Sequence, residues 1–108
     1  MAGVADVLIV EDDATIRSAM VRALGSRHHS TMTAPTAMSG LESLVAHPPD
    51  VVLLDLGLPD LDGKALLAMI RAVSEVPVIV VSARGDDPEI VTLLDAGADD
   101  YLVKPFSV

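Results

Sequence analysis

Val51-Val52-Leu53-Leu54-Asp55 decides how the chain is read. Four aliphatic residues in a row have no polar alternation, so a strand built from them is buried on both faces, as in a parallel sheet. The carboxylate at its end would lie beside that buried strand, where a charge needs a partner or a task. Comparable runs lie on either side of it: Val7-Leu8-Ile9-Val10, Val76-Pro77-Val78-Ile79-Val80-Val81, Tyr101-Leu102-Val103 and a weaker Thr31-Met32-Thr33. Helical stripes separate them, formed by Ile16, Met20 and Ala23/Leu24, by Leu41, Leu44 and Val45, by Leu66, Met69, Ile70 and Val73, and by Ile90, Leu93 and Leu94. Pro48-Pro49-Asp50 closes the second helix, and Gly97 stops the fourth in the left-handed region. The order βαβαβαβαβ predicts a single α/β domain, a three-layer sandwich with right-handed crossovers.

Composition narrows the function. The 108 residues are 51% hydrophobic and only 2% aromatic, so the core is aliphatic. Seven Lys and Arg against sixteen Asp and Glu leave a formal charge of -9, which repels phosphate backbones and argues against direct nucleic-acid binding. The absence of Cys removes disulfides, thiolate catalysis and Cys-ligated zinc and fits a reducing, cytoplasmic setting. Neither a basic-then-apolar leader nor an apolar run of membrane-spanning length is present, so no membrane partner is expected.

In open α/β sheets, ligands bind beyond the carboxyl ends of the strands. Those ends carry Glu11-Asp12-Asp13, Asp55, Ser82 and Lys104. Singly, each has an ordinary explanation: Asp13 is placed to cap a helix opening at Ala14, a lone Ser is a turn residue, and a Lys before Pro lies on the surface. Together they form a rim. Two like charges about 4 Å apart repel by roughly 4 kcal/mol at an effective dielectric of about 20, a strain that a divalent cation relieves. All-oxygen ligands favour Mg²⁺, with Mn²⁺ as an alternative. Lys104 and Ser82 could hold phosphoryl oxygens, and Asp55 could act as a nucleophile, since carboxylates form aspartyl-phosphates.

Four blocks carry a resemblance: Val10-Glu11-Asp12-Asp13; Asp55 through Gly63; Val81-Ser82-Ala83-Arg84; and Gly97-Ala98-Asp99-Asp100-Tyr101-Leu102-Val103-Lys104-Pro105-Phe106. In this order and at these separations they resemble the receiver domain of two-component response regulators, most closely those that carry a winged-helix DNA-binding domain. The resemblance implies a flavodoxin-like doubly wound sheet of order 2-1-3-4-5. Asp55 would be the phosphoacceptor, served by a sensor histidine kinase. Glu11, Asp12, Asp55 and the backbone carbonyl of Gly57 would hold the metal. Ser82 and Lys104 would bind the phosphoryl group, Ser82 and Tyr101 would form the switch, and the Lys104-Pro105 peptide would be cis. The fourth helix and fifth strand would be the output surface, used in phosphorelay signalling to control transcription, with DNA reached only through a separate effector domain.

Two departures qualify that picture. Ile90 stands where the winged-helix type usually has a basic residue for an intersubunit salt bridge. The chain also ends before a fifth helix, so residues 1–108 are expected to be a receiver domain lacking its last helix. Homodimerisation is then expected either through the fourth helix and fifth strand or through the uncovered sheet face. Other readings stay open: an Mg²⁺-dependent aspartate-nucleophile phosphatase, which would need an acid where Gly57 stands; a flavodoxin-like nucleotide binder, whose phosphate loop the acids would oppose; and an unphosphorylated pseudo-receiver. His28, His29 and His47 read as helix-end residues rather than ligands, Met32 and Met69 as core, and Asp60, Asp62 and Gly63 as the loop into the third helix.

Overall fold

The computed structural model describes residues 5–55, 58–82 and 93–103, with Ser82, Leu102 and Val103 described by their backbone. Five parallel strands, β1 (Asp6–Val10), β2 (Ser30–Ala34), β3 (Val51–Asp55), β4 (Val78–Ser82) and β5 (Asp100–Val103), form one sheet in the order β2-β1-β3-β4-β5. This is the doubly wound order expected. The helices α1 (Ala14–Gly25), α2 (Ala37–Ala46) and α3 (Gly63–Val73) connect the strands, and residues 93–95 are helical just before the turn into β5.

Period-two alternation sorts the strand side chains onto two faces. Leu8, Val10, Val52, Leu54, Val78 and Val80 join Leu44 of α2 and Leu66, Leu67 and Ile70 of α3 in one core. Val7, Ile9, Leu53 and Val81 pack with Met20 of α1 in the other. Both faces of β1 and β3 are therefore covered, which is why their sequence does not alternate. Gly40 lets α2 lie against β1, because a Cβ there would stand 2.8 Å from a methyl carbon of Val10.

Helix starts follow local chemistry. Asp13 accepts from the Ile16 amide and caps α1, as expected, while Asp62 accepts from Ala65 and caps α3. Thr36 and Ser39 form a capping box on α2. His47 caps the end of α2, ahead of Pro48. Gly97 adopts φ +121°, closing the turn that precedes β5.

Some expectations need correction. The strand expected from Val76 begins at Val78 instead. Pro77 has no N–H for the ladder, and its carbonyl accepts from Val52 ahead of the paired segment. Val45 and Val73 are 63% and 60% exposed, so both stripes end in solvent rather than in the core. Val45 follows Leu44, and one residue of helix turns it about 100° away from the sheet. Leu67, outside the expected stripe, is fully buried instead. Met32 packs against the core, but Met69 is only half-buried.

At the amino ends of β4 and β5, Arg71 draws three segments together. Its guanidinium donates to the Gly97 carbonyl at 3.0 and 2.8 Å, to the Val76 carbonyl at 2.6 Å and to the Asp99 carboxylate at 3.0 Å. Asp99 also accepts from the Val78 amide at 2.8 Å through the same oxygen, and its own N–H donates to the Val78 carbonyl.

Candidate metal and phosphoacceptor site

Glu11 immediately follows β1, Asp12 begins the turn into α1, and Asp55 is the last residue of β3. β1 and β3 are hydrogen-bonded neighbours, with Val10 paired to Leu54, so the next residue along each, Glu11 and Asp55, arrive side by side. One carboxylate oxygen from each of Glu11, Asp12 and Asp55 lies within 4.8 Å of the others. Glu11 is 1% and Asp55 6% exposed, and they are the only buried charged residues among those described. Asp12 opens the cluster to solvent.

The donor set suits a hard cation. Opposite oxygens around Mg²⁺ stand about 4 Å apart, comparable with the spread of these three, and the exposed Asp12 leaves room for waters and a phosphoryl oxygen. Three carboxylates without nitrogen or sulfur do not make a zinc set. His28, His29 and His47 are not in the cluster. His29 instead accepts from the Ala5 amide through Nδ1 at 2.9 Å.

Glu11 is held through its main chain on both sides. Its N–H donates to the Ala34 carbonyl at 3.0 Å, extending the β1–β2 ladder by one residue. Its carbonyl accepts from Nη1 of Arg17 at 2.9 Å. The acids therefore project from an anchored turn. Sequence reasoning passed over Arg17; the available signal was its place one turn into the helix that Asp13 caps, from which a cation can reach back over the strand end.

Ser82 closes β4, where its backbone pairs with Val103, one step beyond the pairing of Asp55 with Val81. Tyr101 pairs with Val80 in β5 and is 38% exposed. The Ser82 side chain, Gly57, Lys104 and Pro105 lie outside the described residues, as do Arg84 and Ile90. The structure thus brings together three of the expected site residues and sets Ser82 and Tyr101 on the adjoining strands.

Asp60 does something the sequence did not announce. From the loop into α3, it accepts from the Ala37 and Met38 amides at 2.8 and 3.1 Å, across the gap to α2. Those two hydrogen bonds, Ala37 first, hold its pKa below the ordinary carboxylate value. The segment leaving Asp55 is thereby tied to the amino end of a second helix.

Known proteins resemble this chain in sequence and in fold. The family model for the response regulator receiver domain matches residues 7–108. The transcriptional regulatory protein CseB of Streptomyces coelicolor is 50% identical over 106 residues, covering 98% of this chain and 45% of that protein. The transcriptional regulatory protein KdpE of Mycobacterium tuberculosis is 46% identical over 102 residues, covering 94% of this chain and 45% of that protein. The crystal structure of a two-component response regulator from Clostridium difficile superposes with a TM-score of 0.90 at 26% identity, covering 94% of this chain and 84% of that one. This chain spans under half the length of CseB and KdpE. No helix among the described residues is long and apolar enough to cross a membrane. The match along nearly the whole chain sets aside the phosphatase and nucleotide-binder readings: with its acids gathered at the ends of β1 and β3 in a 2-1-3-4-5 sheet, the chain belongs to the response regulator receiver domain family.

Proposed function

We propose that this domain accepts a phosphoryl group on Asp55 from a sensor histidine kinase, with Mg²⁺ bound, and that the modification controls an output, transcription by a DNA-binding effector. The observation that carries the reading is the meeting of Glu11, Asp12 and Asp55 within 4.8 Å at the carboxyl ends of adjoining strands. The Asp55 carboxylate attacks phosphorus, forming an O–P bond as the N–P bond to the kinase histidine breaks and the nitrogen keeps the electron pair. Glu11 and Asp12, with the Gly57 carbonyl, would hold the cation, and Mn²⁺ could replace it. When bound, Mg²⁺ neutralises charge on the transferring phosphoryl oxygens. Burial of Asp55 keeps bulk water from competing with its carboxylate.

Lys104 would pair with the phosphoryl oxygens, and the Lys104-Pro105 peptide would be cis. The Ser82 hydroxyl moves toward the new group, and the Tyr101 ring turns inward from its exposed position. Its 38% exposure supports this part of the reading, since the ring has an outward state to leave. The surface altered is that of β5 and the segment before it, where a second copy would dock.

Intact mass after incubation with acetyl phosphate and Mg²⁺ tests the assignment. Wild type gains one phosphoryl group and Asp55→Ala gains none. A phosphoryl group that survives the substitution refutes Asp55 as acceptor, and an unmodified wild type favours the pseudo-receiver.

A further inference from the structure

Arg17 is half-exposed on α1 and is not one of the acids of the site, yet it touches the main chain on which they are mounted. The Glu11 carbonyl belongs to the peptide joining Glu11 to Asp12. A peptide unit is planar, so restraining its oxygen restrains rotation of the plane and with it the stretch of main chain from which the two side chains leave. The preceding peptide is fixed by the Glu11 N–H bond to Ala34. Arg17 supplies the matching constraint on the other side, through Nη1 at 2.9 Å. Asp13 adds a long contact, its N–H standing 3.4 Å from the Glu11 carboxylate.

We infer that Arg17 is a positioning residue of the metal site: it acts through the Glu11 carbonyl to orient the Glu11 and Asp12 carboxylates for a divalent cation. The inference rests on the reading of Glu11, Asp12 and Asp55 as the cation ligands. It makes a prediction opposite in sign to simple electrostatics. A guanidinium on the Glu11 main chain repels a cation arriving at the neighbouring carboxylates, so removing its charge alone would tighten cation binding. Removing a positioning contact loosens it, by about tenfold where such outer contacts have been cut.

The test is Mn²⁺ titration of the whole chain, following free Mn²⁺ by electron paramagnetic resonance, with the ¹⁵N resonance of the Asp12 amide as a metal-free readout. That amide shares its peptide with the Glu11 carbonyl. Arg17→Met keeps the length and a good helix former but removes charge and donor; Arg17→Lys keeps the charge and one donor within reach. Arg17→Met is expected to weaken Mn²⁺ binding about tenfold and to shift the Asp12 resonance before metal is added. Arg17→Lys should recover most of both. Unchanged or tighter binding in Arg17→Met, an unmoved Asp12 resonance, or Arg17→Lys as weak as Arg17→Met each overturns the inference. Asp12→Asn separates the two levels. Undiminished Mn²⁺ affinity there refutes the ligand assignment and the inference with it, whereas loss there beside wild-type affinity in Arg17→Met refutes the inference alone.

Discussion

The two ends of the sheet treat charge in opposite ways. At the amino ends of β4 and β5, Arg71 and Asp99 are opposite charges in contact at 3.0 Å, with three contacts from Arg71 to carbonyls and two hydrogen bonds between Asp99 and the Val78 main chain completing the network. At the carboxyl ends of β1 and β3, three like charges are gathered, two of them buried. The first arrangement holds the fold without outside help. The second gathers like charges whose mutual repulsion a divalent cation would relieve. Within one domain, one end of the sheet joins opposite charges and the other brings like charges together.

Substitution should separate the two ends cleanly. The largest effect is expected from Arg71→Ala, which strips carbonyl and carboxylate partners at once and should cost about 2–3 kcal/mol in denaturant unfolding while leaving Mn²⁺ affinity intact. The next is ligand linkage. Mg²⁺ at a hundredfold excess over its Kd should stabilise wild type by about 2.7 kcal/mol, and Asp12→Asn should abolish that gain. Smaller and opposite in direction, Asp55→Asn without Mg²⁺ should raise stability by about 1 kcal/mol by removing one of the clustered charges, while losing phosphoryl acceptance. Destabilisation by Asp55→Asn would break the contrast, because it would make the acidic end structural as well.

The smallest effect concerns Asp60, which belongs to neither end and links the segment after Asp55 to α2. Its pKa is lowered on folding by the Ala37 and Met38 amides. Its contribution is therefore present above the ordinary carboxylate pKa and is lost as pH falls through the lower folded value. Hydrogen exchange at Ala37 and Met38 should accelerate over that acidic range in wild type. In Asp60→Asn, exchange there should already be faster at neutral pH, without that acid-dependent step.

Much of this was readable along the chain. Continuous aliphatic runs marked β1, β3 and the body of β4, and Asp13 marked the start of α1, because strand burial and capping are set by near neighbours. The Asp55 position was legible for the same reason, as a charge directly after a buried run. Arg17 and Asp60 were not. Arg17 serves a carbonyl six residues back, and Asp60 serves amides more than twenty residues away, and neither bond leaves a trace in local pattern. Val45 and Val73 misled because an apolar residue at the edge of a helical stripe reads the same whether its face is covered or bare.

By itself, then, the sequence determined which of the described segments are the strands and the first three helices, that the sheet is parallel, and which acids stand at strand ends, since backbone propensity and hydrophobic period are short-range properties. Only the tertiary structure decided that the ends of β1 and β3 lie side by side, that Arg17 and Asp60 brace the segments carrying the acids, and that Arg71 ties the opposite end. Strand order and register are products of packing, and the distances between charges that govern binding exist only after the chain has folded.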